Sequence, residues 1–266
     1  MTKNIILLVS EDKKSVVKID KGELISLKKD GIEYMHQKGN KGWGKSDDEM
    51  FPIIGRTKNN NYKVEISEGK AVLDQHGILR ELEYSIITDN SFSATFIKNY
   101  KKNTFVKNSK FPKKSTEENI FWPYDFTFEK SFILNNNTLQ IDFNFTSKEG
   151  MPFMLGYHPA FLLSNLGNET LITDNKTITL KDVFNAGADA LPILNCNSII
   201  LQNSDKNKLE ISTKGFDNFM LWTEVNNMLC IEPITIYPVP FNEMLSESNM
   251  NLSKKENNFS VNIKVL

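Results

Sequence analysis

Period-two alternation of apolar and polar residues is the strongest constraint on how this chain can fold. It recurs in "FSATF" from Phe92, "LQIDFNF" from Leu139 and "FSVNIKV" from Phe259. Such alternation suits a strand with one face buried and the other in water. Amphipathic helices of ten or more residues are not evident, although "EENIFW" and "LKDVFNAGADAL" have room for a turn or two. "ILNNNTLQ" from Ile133 reads as a hairpin, because Asn tolerates positive φ between two alternating runs. "DGIEY" from Asp30 reads as a tight turn, "IILLV" from Ile5 as a first strand, and the run from Phe259 as a paired C-terminal strand. Many short strands with frequent turns imply an all-β sandwich or barrel. With no repeat or linker, residues 1–266 are expected to form one domain, a length that all-β units do reach.

Composition excludes some partners. Charged residues make up 24% of the chain and the formal net charge is −1. That balance supplies no field to attract nucleic acid or an anionic membrane. The apolar run Ile5 to Val9 is too short for a secretion signal or a span, so a cytoplasmic protein is expected. Two cysteines, Cys196 and Cys230, are then expected as reduced thiols. No Cys-x-x-Cys pair or close His–Cys cluster stands in the sequence, so no metal is expected. Lysine dominates the basic residues; arginine occurs only at Arg56 and Arg80. Their planar donor forks make both worth separate attention. The lysine-rich stretch Lys98 to Asn119 lacks a period and reads as a solvated loop, with a phosphate-meeting lid as the alternative.

Four short stretches concentrate scarce polar residues. "MLCIEPI" places Glu232 at the end of a continuous apolar run, as in a buried strand. A carboxylate buried there must be paired or protonated, and apolar surroundings would raise its pKa toward a useful base; a strand-end glutamate reaching water is the bland alternative. "GYHPAF" sets His158 before a proline, which favours extended backbone and turns its side chain away from Tyr157. A lone histidine among apolar residues is more often a satisfied core residue than a catalyst. "LDQHGILRE" holds His76 at a turn, "MFPIIGR" ends in Arg56, and His36 beside a Gly/Lys segment reads as surface.

Together with "KGELISLKKDGIEYMH" and "FMLWTEVNNMLCIEP", these blocks resemble the galactose mutarotase (aldose 1-epimerase) family from about Gly22 to Pro233. The resemblance implies a large antiparallel β-sandwich with a sugar cleft, a free aldohexose as substrate and no cofactor. It implies Glu232 as general base and His158 as general acid. Arg56, His76 and, from "GADALP", Asp189 would hold the sugar. The wording "GYHPAFLL" resembles a branch often encoded beside lactose or tagatose genes, and Ile78 and Ile234 replace aromatics usual in the family, leaving the sugar open. Two alternatives stand beside an aldose 1-epimerase. One is a hexose-6-phosphate 1-epimerase using Arg80 and Lys107 to Lys114 for the phosphate; the other is a non-catalytic sugar-binding module. A monomer or homodimer is expected, with a small sugar as partner. An imidazole acting as acid must be protonated, and a neighbouring carboxylate would favour that.

Overall fold

The alternating runs become the long strands of a nine-stranded antiparallel sheet. The structure, a computed structural model, describes residues 5–203, 207–240 and 243–266. At the centre of the sheet lie Lys208–Lys214, Glu256–Val265, Thr138–Ser147, Phe126–Asn135 and Ser93–Tyr100, in that order. The Phe126–Asn135 and Thr138–Ser147 strands form the expected hairpin: Asn135 faces Thr138, and Asn136 turns the chain at φ 48°. Asp30 and Gly31, both at positive φ, turn the chain between Glu23–Lys29 and Ile32–Glu33. Ile5–Val9 is a strand, and Glu256–Val265 is paired on both sides. The fold is an all-β antiparallel sandwich.

A second, six-stranded sheet covers the first. It contains Leu191–Leu194, Asn218–Trp222, Met228–Ile234, Gly156–Tyr157 and Glu49–Met50; Ala160–Leu162 also pairs with Met228–Ile234. Aromatic rings fill the space between the sheets. Phe51 lies 5.0 Å from Phe126 and 4.9 Å from Phe145, ring to ring, and Phe143 lies 5.0 Å from Tyr157. Each buried phenyl contributes roughly 1.5–3 kcal/mol by leaving water, and a good aromatic pair adds about 0.5–1.5 kcal/mol.

Two lysines share the inward parity of those rings. Lys130 follows Phe126 and Phe128 on the buried face and is fully enclosed. Its Nζ donates to Glu49 at 2.6 Å, Asp47 at 2.7 Å and the Gly22 carbonyl at 3.0 Å. Tyr157 Oη donates to the same Asp47 carboxylate. Lys98 lies on Ser93–Tyr100, close to Glu49 and over the Tyr84 ring. Burial would strip Lys130 of its proton, but Asp47 and Glu49 outweigh it and hold the ammonium.

Three expectations need correction. Lys98 is core, not loop, because parity places it under the sheet. The following stretch is partly ordered: Val106–Lys107 pairs with Asn119–Ile120, so "EENIFW" supplies a strand rather than a helical turn. His36 is fully buried, its backbone N–H donating to Ala160 and its Nε2 lying 2.8 Å from the Trp43 carbonyl. The helical turn in "LKDVFNAGADAL" is Leu180–Ala186, closed by a capping box between Thr179 and Asp182. No helix among the described residues is long and apolar enough to cross a membrane.

Candidate active site

The outer face of the smaller sheet floors a cleft of about 660 Å³ lined by His76, His158, Arg56, Asp189 and Glu232, all five residues singled out from the sequence. Alternation explains the floor. Along Met228–Ile234, Cys230 and Glu232 share one face, with Trp222 and Met220 as their cross-strand neighbours. Leu229 and Ile231 point the other way, into the main core. His158 follows the same rule: Tyr157 reaches inward to Asp47, while His158 meets Trp43 and Trp222 on the cleft side.

His158 Nε2 lies 3.3 Å from Glu232 Oε1, and both side chains are more than nine-tenths buried. Backbone bonds hold the histidine against the neighbouring strand: its N–H donates to the Asp48 carbonyl at 2.8 Å, and Asp48 N–H returns a bond at 3.2 Å. The Trp43 ring, set between Gly42 and Gly44, lies 4.3 Å from the imidazole.

His76 owes its place to the glycine after it. Gly77 sits at φ +79°, and a Cβ there would overlap the Phe51 carbonyl. That carbonyl accepts from the N–H groups of Ile78 and Leu79, while Phe51 N–H donates to the His76 carbonyl. The turn is thereby clamped onto the strand end, and the His76 ring stands 6.0 Å from that of His158. At the open side, Arg56 Nη2 donates to the Ala188 carbonyl at 2.7 Å and Nη1 lies 3.3 Å from Asp189 Oδ1. The two residues expected to hold sugar therefore touch each other, with Asp189 well exposed at the rim.

Electrostatics reverses one expectation. Burial and then the Arg80 guanidinium push His158 down to about 3. Burial pushes Glu232 up to about 8, against the pull of Arg80. At neutral pH the single proton of the pair rests on the carboxyl, and the imidazole is neutral. Desolvation of the ring and a nearby guanidinium outweigh what the carboxylate could offer. His76 is held well below the ordinary imidazole range, again by burial first and Arg80 next. Asp48 stays ionised: burial opposes this, but Arg80 and Lys45 outweigh it.

Sequence reasoning missed Asp48, Trp43 and Trp222. "SDDEMF" reads as surface charge, yet Asp47, Asp48 and Glu49 are all buried. The two tryptophans carried a compositional signal, since the chain has only three. Arg80, considered for a phosphate, is paired with Asp48 at 3.1 Å, and Lys110 with Asp74 at 3.0 Å.

Residues 22–248 match the model of the Aldose 1-epimerase family. The plasmid-encoded protein LacX of Lactococcus lactis subsp. lactis is 24% identical over 256 residues, covering 80% of this chain and 81% of its own. A galactose mutarotase related enzyme from Lactobacillus acidophilus superposes with a TM-score of 0.79 at 22% identity, covering 98% and 97% of the two chains. Galactose 1-epimerase from Lactobacillus acidophilus NCFM superposes at 0.66 with 14% identity, covering 98% and 94%.

Proposed function

The chain belongs to the aldose 1-epimerase family, on its LacX-like branch, and from that premise we propose that it interconverts the α and β anomers of a free aldohexose, with His158 and Glu232 as the acid–base pair. Family membership supports a sugar epimerase or mutarotase activity; the substrate and the residue roles are our reading. The observation that carries it is the 3.3 Å contact between His158 and Glu232 at the floor of a cleft walled by two tryptophans. A pure sugar binder needs hydrogen bonds and an apolar wall, but not an imidazole and a carboxyl sharing one proton.

Anomer exchange moves two protons and no other group. The C1 hydroxyl loses its proton to the base, the ring oxygen gains one from the acid, and the C1–O5 bond opens. Rotation about C1–C2 and the reverse transfers give the other anomer. Glu232 takes the C1 proton and His158 serves the ring oxygen, the proton of the pair first crossing from the carboxyl to the imidazole. Arg56, His76 and Asp189 hold the sugar hydroxyls, and Trp43 and Trp222 offer apolar faces to its C–H edges.

A free sugar fits better than a phosphorylated one, because Arg80 and Lys110 already neutralise buried carboxylates. The test is polarimetry of freshly dissolved α-D-glucose and α-D-galactose with catalytic protein. Faster relaxation, abolished in Glu232→Gln, is the expected result. No acceleration of either sugar, together with acceleration of a hexose 6-phosphate, overturns the free-sugar reading. Sugar binding without acceleration of any of them overturns the enzyme.

A further inference from the structure

Cys230 has no part in sugar turnover, yet it stands beside the pair that does. It precedes Glu232 by two residues on one strand, so both side chains leave the same face. His158 reaches that face from the next strand pairing. One donor atom from each of Cys230, His158 and Glu232 lies within 4.8 Å of the other two. No spacing in the sequence announces this cluster, because the sheet assembles it.

The distances suit a metal ion. In a tetrahedral site with bonds of about 2.0–2.1 Å, a nitrogen and an oxygen sit about 3.3 Å apart. His158 Nε2 and Glu232 Oε1 are already at that separation. A thiolate bond of about 2.3 Å calls for a sulfur roughly 3.5 Å from its fellow ligands, within reach of side-chain adjustment. A second observation concerns the ring itself. His158 is 7% exposed, and its Nδ1 has no hydrogen-bond partner among the described residues. Nε2 faces the Glu232 carboxyl, so the neutral ring carries its proton on Nδ1 and already turns the Nε2 lone pair toward the cluster. His158 and Glu232 line the cleft, from which a hydrated ion can approach, while Cys230 lies fully buried behind them.

We propose that Cys230, His158 and Glu232 form a site for a thiophilic divalent cation, Zn²⁺ foremost. Occupation shuts the cleft down, because the ion takes the lone pairs that would move protons. A sulfur–nitrogen–oxygen donor set favours zinc or cadmium; magnesium and calcium prefer all-oxygen sites. Ion binding stands independently of the epimerase reading, whereas inhibition rests on it.

The test uses the full chain stripped with a chelator, titrated with Zn²⁺ by calorimetry and with Co²⁺ by absorption. One ion per chain and a thiolate-to-cobalt charge-transfer band are expected. Cys230→Ala loses the band and at least tenfold in Zn²⁺ affinity, while Cys196→Ala changes neither. Cys230→Ser, closer in size, replaces the alanine variant should that one not fold, with the same expected loss. Cys230→Ala keeps its basal polarimetric rate and becomes at least tenfold less sensitive to Zn²⁺. Absence of stoichiometric binding, cobalt bound without the sulfur band, or unchanged affinity in Cys230→Ala overturns the proposal. A protein that binds Zn²⁺ through Cys230 but accelerates no sugar sinks the epimerase reading and leaves the metal site standing.

Discussion

Arg80 Nη2 lies 3.1 Å from Asp48 Oδ2, and after burial its guanidinium is the largest influence on both His158 and Glu232. The guanidinium disfavours protonation of either group. Asp48 in turn anchors the backbone of His158. One contact thus links the placement of the imidazole to the charge state of the pair.

The pH dependence of turnover follows. The pair holds one proton between its lower value of about 3 and its upper value of about 8. We expect kcat/KM to be flat through neutrality and to fall above about pH 8, as Glu232 releases that proton. Arg80→Met removes a cation that lowers Glu232, so the alkaline limb moves to higher pH. Arg80→Lys keeps the charge and leaves the limb closer to its original place. A limb that stays put in Arg80→Met counts against the electrostatic link.

Glu232→Gln and His158→Asn each keep the fold and lose turnover by about 10²- to 10⁴-fold, the usual worth of a positioned proton transfer. Stability offers a second readout for Glu232. Its folded value of about 8 stands above its ordinary 4.5, so the folded chain keeps a proton that the unfolded chain releases. Wild-type stability therefore falls as pH rises from about 4.5 to about 8, by roughly 1.4 kcal/mol per unit of separation. Gln does not titrate. Thermal melts should show the stability of Glu232→Gln relative to wild type rising from pH 5 to pH 9.

Arg56 contacts the Ala188 carbonyl and the Asp189 carboxylate with different arms of its fork. Lysine cannot make both contacts in this geometry. Initial-rate measurements on Arg56→Lys should show KM raised several-fold with a smaller change in kcat. A kcat loss with unchanged KM would move Arg56 from sugar binding to chemistry.

Lys130→Met leaves Asp47 buried without its cation and Glu49 with only Lys98, at 3.6 Å. The expected loss is about 3–5 kcal/mol in denaturant unfolding. Neutralising the acids as well, in Lys130→Met with Asp47→Asn and Glu49→Gln, should recover part of it.

Gly77→Ala forces a Cβ against the Phe51 carbonyl at a positive φ. We expect a loss of about 1–3 kcal/mol and a displaced His76, read as a raised KM. An alanine variant with wild-type stability and KM would contradict this clamp.

The fold was legible where parity was clean. Phe92, Leu139 and Phe259 head runs that became central strands, and Asn136 made the turn its side chain permits. Glu232 was legible because a carboxylate after four apolar residues had to be explained. Lys98 and Lys130 were legible in principle, since each occupies an inward position among aromatics, but a lysine there conflicts with the rule that charges stay wet. The Arg80–Asp48 contact was not legible. Its partners lie 32 positions apart, and nothing local distinguishes Asp48 from Asp47, which faces the opposite side of the sheet. The raised pKa of Glu232 was legible from its apolar run, but the neutral state of His158 was hidden, because it depends on the Arg80 guanidinium and on how much water the assembled cleft excludes.

Tyr157 and His158 are adjacent in the chain, as are Asp47 and Asp48; Tyr157 and Asp47 reach Lys130, while His158 lines the cleft and Asp48 holds Arg80, which lines it too. A genetic screen scoring growth on sugar would therefore return Asp47 and Lys130 among its strongest hits. Neither faces the cleft, and a map of such hits would extend the apparent catalytic region through the sheet, beneath the cavity that a sugar can enter.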